Sequence, residues 1–353
     1  MATNLAAAIT AFVISFLTVP IVIKYSFRKN LGDVPGRRKI HKKVTPSLGG
    51  IAIFFGFIAA TFIWIGLTDL ASIKFVLVAL FMVFFIGVRD DLIPIKASLK
   101  LVGQILAACL VVFFFDIRLK GLYGILAINE IPLWLSYFLT ILTIIVITNA
   151  FNLIDGLDGL AGTISSIALL AFGIWFYLVG DYTYSTISFC MLGGILAFLI
   201  FNWEPSEVFM GDTGALVIGL MLSILSIHFI NINFTLSVSN PYHFKPSVTT
   251  AACFIIIPLI DTCRIIILRL SKRQSPFTPD KSHIHHAILR LGMSHQQTTL
   301  ILAVTHILYI GLALVLANTG ENYALLTLLL FSIALSVLLD QLIIRKKSGK
   351  ELA

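Results

Sequence analysis

The run GALVIGLMLSILSIHFI, residues 214–230, contains no Asp, Glu, Lys or Arg. A helix needs roughly 20 mostly apolar residues to cross a bilayer, and this run with its flanks is long enough. The whole chain of 353 residues is 58% hydrophobic and 12% charged, with a mean hydropathy of +1.00. Soluble domains are about 45–50% apolar and about 25% charged. The composition therefore predicts an integral membrane protein.

Comparable apolar runs recur along the chain, without a polar block large enough to fold separately. They predict an all-α, polytopic membrane protein with about 11 transmembrane helices, forming a single domain over residues 1–353. The predicted spans lie near residues 5–24, 48–67, 72–88, 99–115, 132–150, 159–179, 184–201, 214–230, 248–270, 298–318 and 322–343.

Basic residues predict the orientation of these spans, because Lys and Arg concentrate in cytoplasmic loops. Eight of them lie between Lys24 and Lys43, and four more lie between Arg345 and Lys350. The N-terminus is expected outside and the C-terminus in the cytoplasm. The same bias accounts for the formal charge of +8 without a nucleic-acid partner.

The polar segments between spans sort to one side of the membrane. Each neighbouring pair of acidic or histidine-rich clusters is separated by two predicted spans, so all of them fall on the cytoplasmic face. We expect the active site to be formed by the loops near 25–47, 89–98, 151–158, 202–213 and 271–297.

Two adjacent carboxylates, Asp90 and Asp91, end the third predicted span. Unpaired burial of these carboxylates would be costly. One interpretation pairs them with Arg89 and Lys96 at the membrane surface. The other is a cation site, and Mg²⁺ suits carboxylates combined with phosphate oxygens.

The stretch NAFNLIDGLDGLAG, residues 149–162, places polar side chains at intervals of three on an otherwise apolar helix. These are Asn149, Asn152, Asp155 and Asp158, and the spacing predicts one polar stripe. The glycines between them are equally compatible with close helix packing. Helix packing does not explain two Asp and two Asn.

Asp212 lies in VFMGDTGAL, residues 208–216, directly before the apolar run quoted first. An Asp at this place is often a helix N-cap. The neighbouring glycines also fit a turn that presents a carboxylate to a metal ion.

The segment DKSHIHH, residues 280–286, carries His283, His285 and His286. Zinc favours His ligands, but the segment has no Cys and the histidines are crowded. Contact with a phosphate, a zinc site and a polar connector remain alternatives. Within the preceding span, Asp261 and Arg264 are spaced for an ion pair on one helix.

Several ordered motifs together resemble the polyprenyl-phosphate N-acetylhexosamine-1-phosphate transferases. They are HKKVTPSLGG at 41–50, RDDL at 89–92, NAFNLIDGLDGLAG at 149–162, VFMGDTGAL at 208–216 and PFTPDKSHIHH at 276–286. The resemblance implies a Mg²⁺-dependent enzyme, with Mn²⁺ as a substitute, that transfers a sugar 1-phosphate from a UDP-sugar to a polyprenyl phosphate and releases UMP.

The resemblance also implies roles for individual residues. Asp90, Asp91 and Asp212 would be catalytic, with the metal held by Asp212, Asp91 and Asp155. The substrate-binding residues would be Lys43, Asn149, Asn152, Asp155, Asp158, His283, His285 and His286.

The letters H-I-H-H resemble the branch of this family that uses UDP-N-acetylglucosamine and undecaprenyl phosphate. That branch carries out the first membrane step of a cell-envelope polysaccharide, at the cytoplasmic side of the bacterial inner membrane, and a homodimer is expected. Another UDP-N-acetylhexosamine or phospho-N-acetylmuramoyl-pentapeptide is the alternative substrate. A membrane transporter is the alternative class, because intramembrane acids also mark solute pathways.

Overall fold

A computed structural model describes residues 1–29, 31–33, 45–271, 273 and 283–351 of the chain. Lys43, predicted to bind substrate, lies outside these residues. The described part is almost entirely helical, which confirms the all-α prediction. Its helices are α1 Ala2–Arg28, α2 Gly49–Trp64, α3 Leu67–Ser72, α4 Lys74–Leu92, α5 Ala97–Phe115, α6 Leu133–Ile154, α7 Leu160–Leu178, α8 Tyr182–Asn202, α9 Gly211–Thr235, α10 Ser247–Phe254, α11 Ile256–Ser271, α12 Ile284–Arg290, α13 His295–Val315 and α14 Glu321–Glu351.

Within the described residues, eight helices are long and apolar enough to cross a membrane, or nine if the bent pair α10 and α11 counts as one span. The chain is therefore a multi-pass membrane protein. Two further predicted spans coincide with α2, which is shorter, and with α4, which ends on charged residues. The count of eleven and the orientation of the termini remain predictions.

The ninth predicted span, residues 248–270, is not one straight helix. Helices α10 and α11 meet at Ile255 with a bend of 91°. Pro258 has no backbone N–H to donate to the carbonyl of Phe254, and a proline ring clashes with the carbonyl four residues earlier. The ring Nε2 of His306, on α13, donates to the Phe254 carbonyl at 2.9 Å instead. The carbonyl of Phe254 therefore keeps a hydrogen-bond donor at the bend.

Helix α9 lies at the centre of the bundle and packs against α2, α4, α6 and α7. The contact with α4 depends on Gly87, where an added Cβ would lie 2.4 Å from the Cα of Thr213. Only a residue without a side chain allows the two backbones to approach so closely. This contact brings the end of α4 against the beginning of α9.

A short extended segment fixes the beginning of α9 from another side. Strand β1, Gly32–Asp33, pairs antiparallel with strand β2, Thr45–Pro46. The carbonyl of Pro46 accepts the N–H of Phe209 at 2.8 Å, and the N–H of Gly50 donates to Met210 at 2.9 Å. The turn before α9 is thus held by backbone hydrogen bonds to the residues that precede and begin α2.

Candidate active site

Four polar segments that are distant in sequence meet at one end of the bundle. They are the end of α4, the turn before α9, the loop after α6 and the segment that begins α12. Contacts between Asp91 and Thr213, between Asn152 and Asp212, and between His285 and Gly156 join them. The geometry brings together the acidic and histidine clusters that the span count had placed on one face.

Asp91 caps helix α9 from the neighbouring helix. One carboxylate oxygen accepts the N–H of Asp212 at 2.8 Å, and the other accepts the N–H and the hydroxyl of Thr213 at 2.9 and 2.5 Å. The first N–H groups of a helix have no partner within the helix, so a carboxylate here satisfies them. The interpretation of Asp212 as the N-cap is wrong, because Asp212 lies within the first turn and Met210 precedes the helix.

The turn before α9 has the backbone shape that this cap requires. Gly211 has a φ of +72°, and an added Cβ would lie 2.0 Å from the carbonyl oxygen of Ser47. Residues with side chains rarely adopt this conformation. The glycine next to Asp212 is therefore explained by the close approach of backbone and by the sharp turn.

Asp90 and Asp212 share one cation, the ammonium group of Lys100. Its Nζ lies 2.6 Å from Asp212 and 3.3 Å from Asp90. The second oxygen of Asp90 accepts the N–H of Ile95 at 2.7 Å. All three charged side chains are largely buried, with 12–27% of each exposed. A cation between two carboxylates offsets a repulsion that would otherwise be large at this separation.

Lys100 was missed in the sequence, where Arg89 and Lys96 were the candidate partners of the acids. Arg89 donates to the carbonyl of Ile93 at 2.7 Å, and Lys96 precedes the first turn of α5. The chain reverses direction between α4 and α5, so Lys100 returns to the acids from the next helix. A lysine in the otherwise apolar beginning of α5 is the signal that could have identified it.

The polar stripe of α6 divides between the site and the packing of the bundle. Asn152 donates an amide hydrogen to Asp212. Asn149 lies one turn earlier, where its amide donates to Gln104 of α5 at 2.7 Å. The predicted helical stripe is therefore only half present: Asn149 and Asn152 lie on α6, whereas Asp155 and Asp158 follow its end at Ile154.

Asp155 follows the last turn of α6 and completes the acidic cluster. Burial raises the pKa of Asp155 to about 8, and the negative charges of Asp212 and Asp91 add to this effect. The backbone amide of Gly211 acts in the opposite direction. Several carboxylates gathered without equal positive charge favour either a shared proton or a bound cation.

Asp158 lies deeper and joins two loops. Its carboxylate accepts the hydroxyl hydrogen of Ser206 at 2.9 Å, and it lies 3.3 Å from the Nδ1 of His295. Its carbonyl accepts from Thr299 at 3.2 Å. Asp158 therefore connects the loop after α6 with the 203–210 segment and the beginning of α13.

The three histidines lie together against α11. The rings of His285 and His286 are 4.5 Å apart between centroids, and those of His283 and His285 are 5.1 Å apart. Asp261 accepts from the Nδ1 atoms of His283 and His285 at 3.0 and 3.2 Å. The expected pairing of Asp261 with Arg264 is replaced by these contacts, and Arg264 instead pairs with Asp340 on α14.

The acidic cluster consists of oxygen ligands of the kind that a hard divalent cation takes. Asp212, Asp90 and Asp155 supply carboxylate oxygens, the ligands that Mg²⁺ prefers. Lys100 already holds a positive charge between two of them, which shows that this position favours a cation. Asp91, which the family resemblance makes a metal ligand, uses both carboxylate oxygens to hold α9, so Asp90 replaces it in the proposed ligand set. Among the described residues, the cluster with ligand atoms all within 4.8 Å is instead Asp261, His283 and His285, a set closer to the preferences of zinc.

Comparison with known proteins adds an independent finding. Residues 73–230 match the family model described as Glycosyl transferase family 4. A Bacillus subtilis protein is 32% identical over 345 residues, which cover 95% of this chain and 90% of that protein. The chain belongs to glycosyl transferase family 4. The matched region contains the acidic cluster and Lys100.

The family 4 relatives carry consistent names. The Bacillus subtilis protein is named a probable undecaprenyl-phosphate N-acetylglucosaminyl 1-phosphate transferase. A Salmonella typhi protein, 29% identical over 88% of this chain and 83% of its own length, is named an undecaprenyl-phosphate alpha-N-acetylglucosaminyl 1-phosphate transferase. A Mycobacterium leprae protein, 30% identical over 83% of this chain and 79% of its own length, is named a decaprenyl-phosphate N-acetylglucosaminephosphotransferase.

Proposed function

We propose that this family 4 protein transfers N-acetylglucosamine 1-phosphate from UDP-N-acetylglucosamine to undecaprenyl phosphate. The products are undecaprenyl-diphospho-N-acetylglucosamine and UMP. The observation that carries the proposal is the convergence of Asp90, Asp155, Asp212 and Lys100 at one end of an apolar bundle. The names of relatives aligned over most of the chain support the choice of sugar and lipid.

The position of the site suits one soluble and one membrane-bound substrate. The bundle exposes large apolar side chains along its length, including Phe85, Leu153 and Ile267, so it can lie in lipid. The acidic cluster lies where helices end, so a lipid phosphate at the membrane surface and a nucleotide diphosphate from water can reach the same atoms. We place this end in the cytoplasm of a bacterium, at the inner membrane, where nucleotide sugars are available.

The proposed reaction is a direct displacement at phosphorus. A non-bridging oxygen of the lipid phosphate attacks the β-phosphorus of the donor, a new P–O bond forms and the bond to the UMP oxygen breaks. The attacking phosphate is largely ionised near neutral pH, so no side chain has to remove a proton from it. Positioning and charge compensation then carry most of the catalysis, as in other phosphoryl transfers.

The residues of the cluster divide these tasks. Mg²⁺ would be held by Asp212 with Asp155 and Asp90, and when bound it offsets negative charge on the phosphates. Asn152 orients Asp212 by donating to its carboxylate. Asp91 places Asp212 by capping α9 and adds negative charge to the metal site. Lys100 compensates the negative charge of Asp90 and Asp212, and its ammonium group would also pair with a phosphate oxygen of a bound substrate.

The histidines would contact the phosphates of the donor. Imidazole nitrogens donate hydrogen bonds to phosphate oxygens, and His285 lies against the loop that carries Asp155. Asn149 and Asp158 then support the shape of the nucleotide pocket through Gln104 and Ser206. A homodimer and the use of Mn²⁺ in place of Mg²⁺ remain part of the proposal.

The test is a reconstituted reaction. Purified protein in lipid nanodiscs is incubated with Mg²⁺, undecaprenyl phosphate and a panel of UDP-sugars, and UMP is measured. We expect release with UDP-N-acetylglucosamine, dependence on the lipid acceptor, and loss of release in Asp212→Asn. Absence of UMP with every donor would contradict the enzyme, and preference for another donor would correct the sugar.

A further inference from the structure

Asp261 is a buried carboxylate in the second turn of α11, just beyond the bend. Only 4% of its side chain is exposed. The cost of burying a carboxylate is offset only when hydrogen bonds or opposite charges compensate it. Its compensation comes from a segment more than twenty residues later, the beginning of α12.

Three consecutive residues of that segment donate to this one side chain. One oxygen accepts the backbone N–H of Ile284 at 2.6 Å. The other accepts from the Nδ1 atoms of His283 and His285 at 3.0 and 3.2 Å. Both rings are buried, with 9% of the His283 side chain and 2% of the His285 side chain exposed.

The contacts determine which ring nitrogen carries hydrogen. An ionised carboxylate only accepts hydrogen bonds, so each Nδ1 must be an N–H donor. In a neutral imidazole the hydrogen on Nδ1 leaves Nε2 without one, whereas in an imidazolium both nitrogens donate. Asp261 therefore excludes the neutral form that carries its hydrogen on Nε2, for two rings at once.

The Nε2 side of the His285 ring faces the loop that carries Asp155. A Cβ added to Gly156 would lie 3.1 Å from the Nε2 of His285. Gly156 is adjacent to Asp155, whose carboxylate lies near Asp212 and Asp91. The absence of a side chain at residue 156 lets this nitrogen pack directly against the loop that borders the site.

We propose that Asp261 is the positioning residue of the histidine cluster: it anchors the beginning of α12 on α11 and fixes the orientation and tautomer of His283 and His285. Asp261 does not contact substrate, and it acts only through the two rings. The inference rests on the proposed function for its effect on turnover, because the Nε2 of His285, beside the loop that carries Asp155, is the atom that would meet the donor phosphates. The tautomer itself can be measured without any substrate.

The first experiment compares Asp261→Asn with Asp261→Glu in nanodiscs by steady-state UMP release. An amide at this position offers one acceptor and one donor, so it cannot accept from all three groups. At metal sites, loss of a residue that orients a ligand imidazole costs about 10- to 100-fold, and we take this range as the scale for an imidazole that orients a phosphate. We expect a decrease of that size in kcat/KM for the UDP-sugar, an unchanged KM for undecaprenyl phosphate, and partial recovery with the carboxylate of Glu.

A matched control is Asp340→Asn, which removes another carboxylate from the same part of the bundle. Asp340 pairs with Arg264 and does not contact the histidines in any bond described here. Its variant is expected to retain wild-type kcat/KM. Equal losses in both variants would indicate a general effect of removing charge and would overturn the proposal, as would wild-type kcat/KM in a folded Asp261→Asn protein.

A double-variant cycle separates positioning from a merely structural role. If Asp261 acts through His285, then Asp261→Asn combined with His285→Gln should lose little more than His285→Gln alone. Fully multiplicative losses would contradict the proposal. Thermal unfolding of each variant identifies any protein that has lost its fold.

The second experiment needs no variant. Nitrogen-15 NMR of the wild-type protein, labelled at histidine and reconstituted in lipid, distinguishes the two neutral tautomers and the imidazolium. We expect protonated Nδ1 atoms for both rings, and a hydrogen on Nε2 with a bare Nδ1 would overturn the assignment. Stoichiometric zinc in elemental analysis of the purified protein, lost in Asp261→Asn, would also overturn it, because the same atoms would then be metal ligands.

The two hypotheses fail in different ways. If wild-type protein released no UMP with any donor, the proposed function would be refuted. The NMR experiment would still test whether Asp261 fixes the tautomers of His283 and His285. If wild-type protein were active and Asp261→Asn equally active, only the positioning role would be lost.

Discussion

Lys100→Met tests how much the ammonium group of Lys100 stabilises the neighbouring carboxylates of Asp90 and Asp212. Methionine keeps the length and the apolar stem of the side chain but removes the ammonium that lies 2.6 Å from Asp212 and 3.3 Å from Asp90. A hydrogen bond to a charged group contributes about 1.5–3 kcal/mol. Because the three side chains retain some solvent contact, screening places the combined loss near the lower end, at about 2 kcal/mol.

The expected loss has a clear signature in unfolding measurements. Without divalent cation, the free energy of unfolding should fall by about 2 kcal/mol, which is roughly a 30-fold change in the folding equilibrium. Added Mg²⁺ should recover more stability in Lys100→Met than in wild type, because it then supplies the positive charge that the two carboxylates have lost. UMP release should fall as well, because one phosphate contact is lost.

The assay is thermal or denaturant unfolding in nanodiscs, with and without Mg²⁺. The control is Lys96→Met, which removes an exposed lysine four residues earlier, at the residue that precedes α5. Its stability and its response to Mg²⁺ should match those of wild type. An unchanged stability of Lys100→Met, or a Mg²⁺ response equal to that of Lys96→Met, would refute the compensating role of Lys100.

Three further predictions concern the residues around the site. Asp91→Asn should lower stability by about 1–3 kcal/mol because the cap of α9 loses an acceptor. Asp212→Asn should lose UMP release with a smaller loss of stability, because the amide oxygen still accepts from Lys100 and the neutral side chain no longer repels the neighbouring carboxylates. Equal unfolding midpoints for the two variants would contradict this division. Gly87→Ala should cost about 1–3 kcal/mol through the clash with α9. Gly311→Ala, where a Cβ meets open space within α13, should not lower stability, because Ala favours a helix more than Gly does, and it should leave UMP release unchanged. His306→Leu should lower the free energy of unfolding by about 1–3 kcal/mol, because the carbonyl of Phe254 at the bend loses its donor. An unfolding midpoint equal to that of wild type would show that the bend does not depend on this hydrogen bond.

The apolar pattern predicted the helical architecture well, because a span in lipid must form all its backbone hydrogen bonds within itself and present an apolar surface. Two predicted spans separate each neighbouring pair of clusters, and this even number correctly predicted that Asp91, Asp155 and Asp212 lie at the same end of the bundle. These predictions depend on periodicity and length, which are local properties of the sequence. The break in the ninth span was visible only as Pro258, and a proline alone does not tell a kink from a 91° bend.

The partners of individual side chains could not be predicted in the same way. Lys100 reaches the acids because the chain reverses between two helices, and Asp261 meets His283 across a separation of 22 residues. Helical spacing had paired Asp261 with Arg264 instead. Such contacts depend on how whole helices are placed, which the local pattern does not contain. The roles assigned to the site residues remain predictions until the variants are measured.

The cap that Asp91 provides has a consequence for reading genetic data. In a complementation screen, loss of growth at either residue of the Asp90-Asp91 doublet would look identical, and both would be scored as essential chemistry. The geometry instead divides the doublet into one residue that faces a cation and one that determines where a neighbouring helix starts. We therefore expect an inactive Asp91 allele to report the loss of this cap, and a suppressor that rebuilds the first turn of α9 should restore growth without restoring a carboxylate.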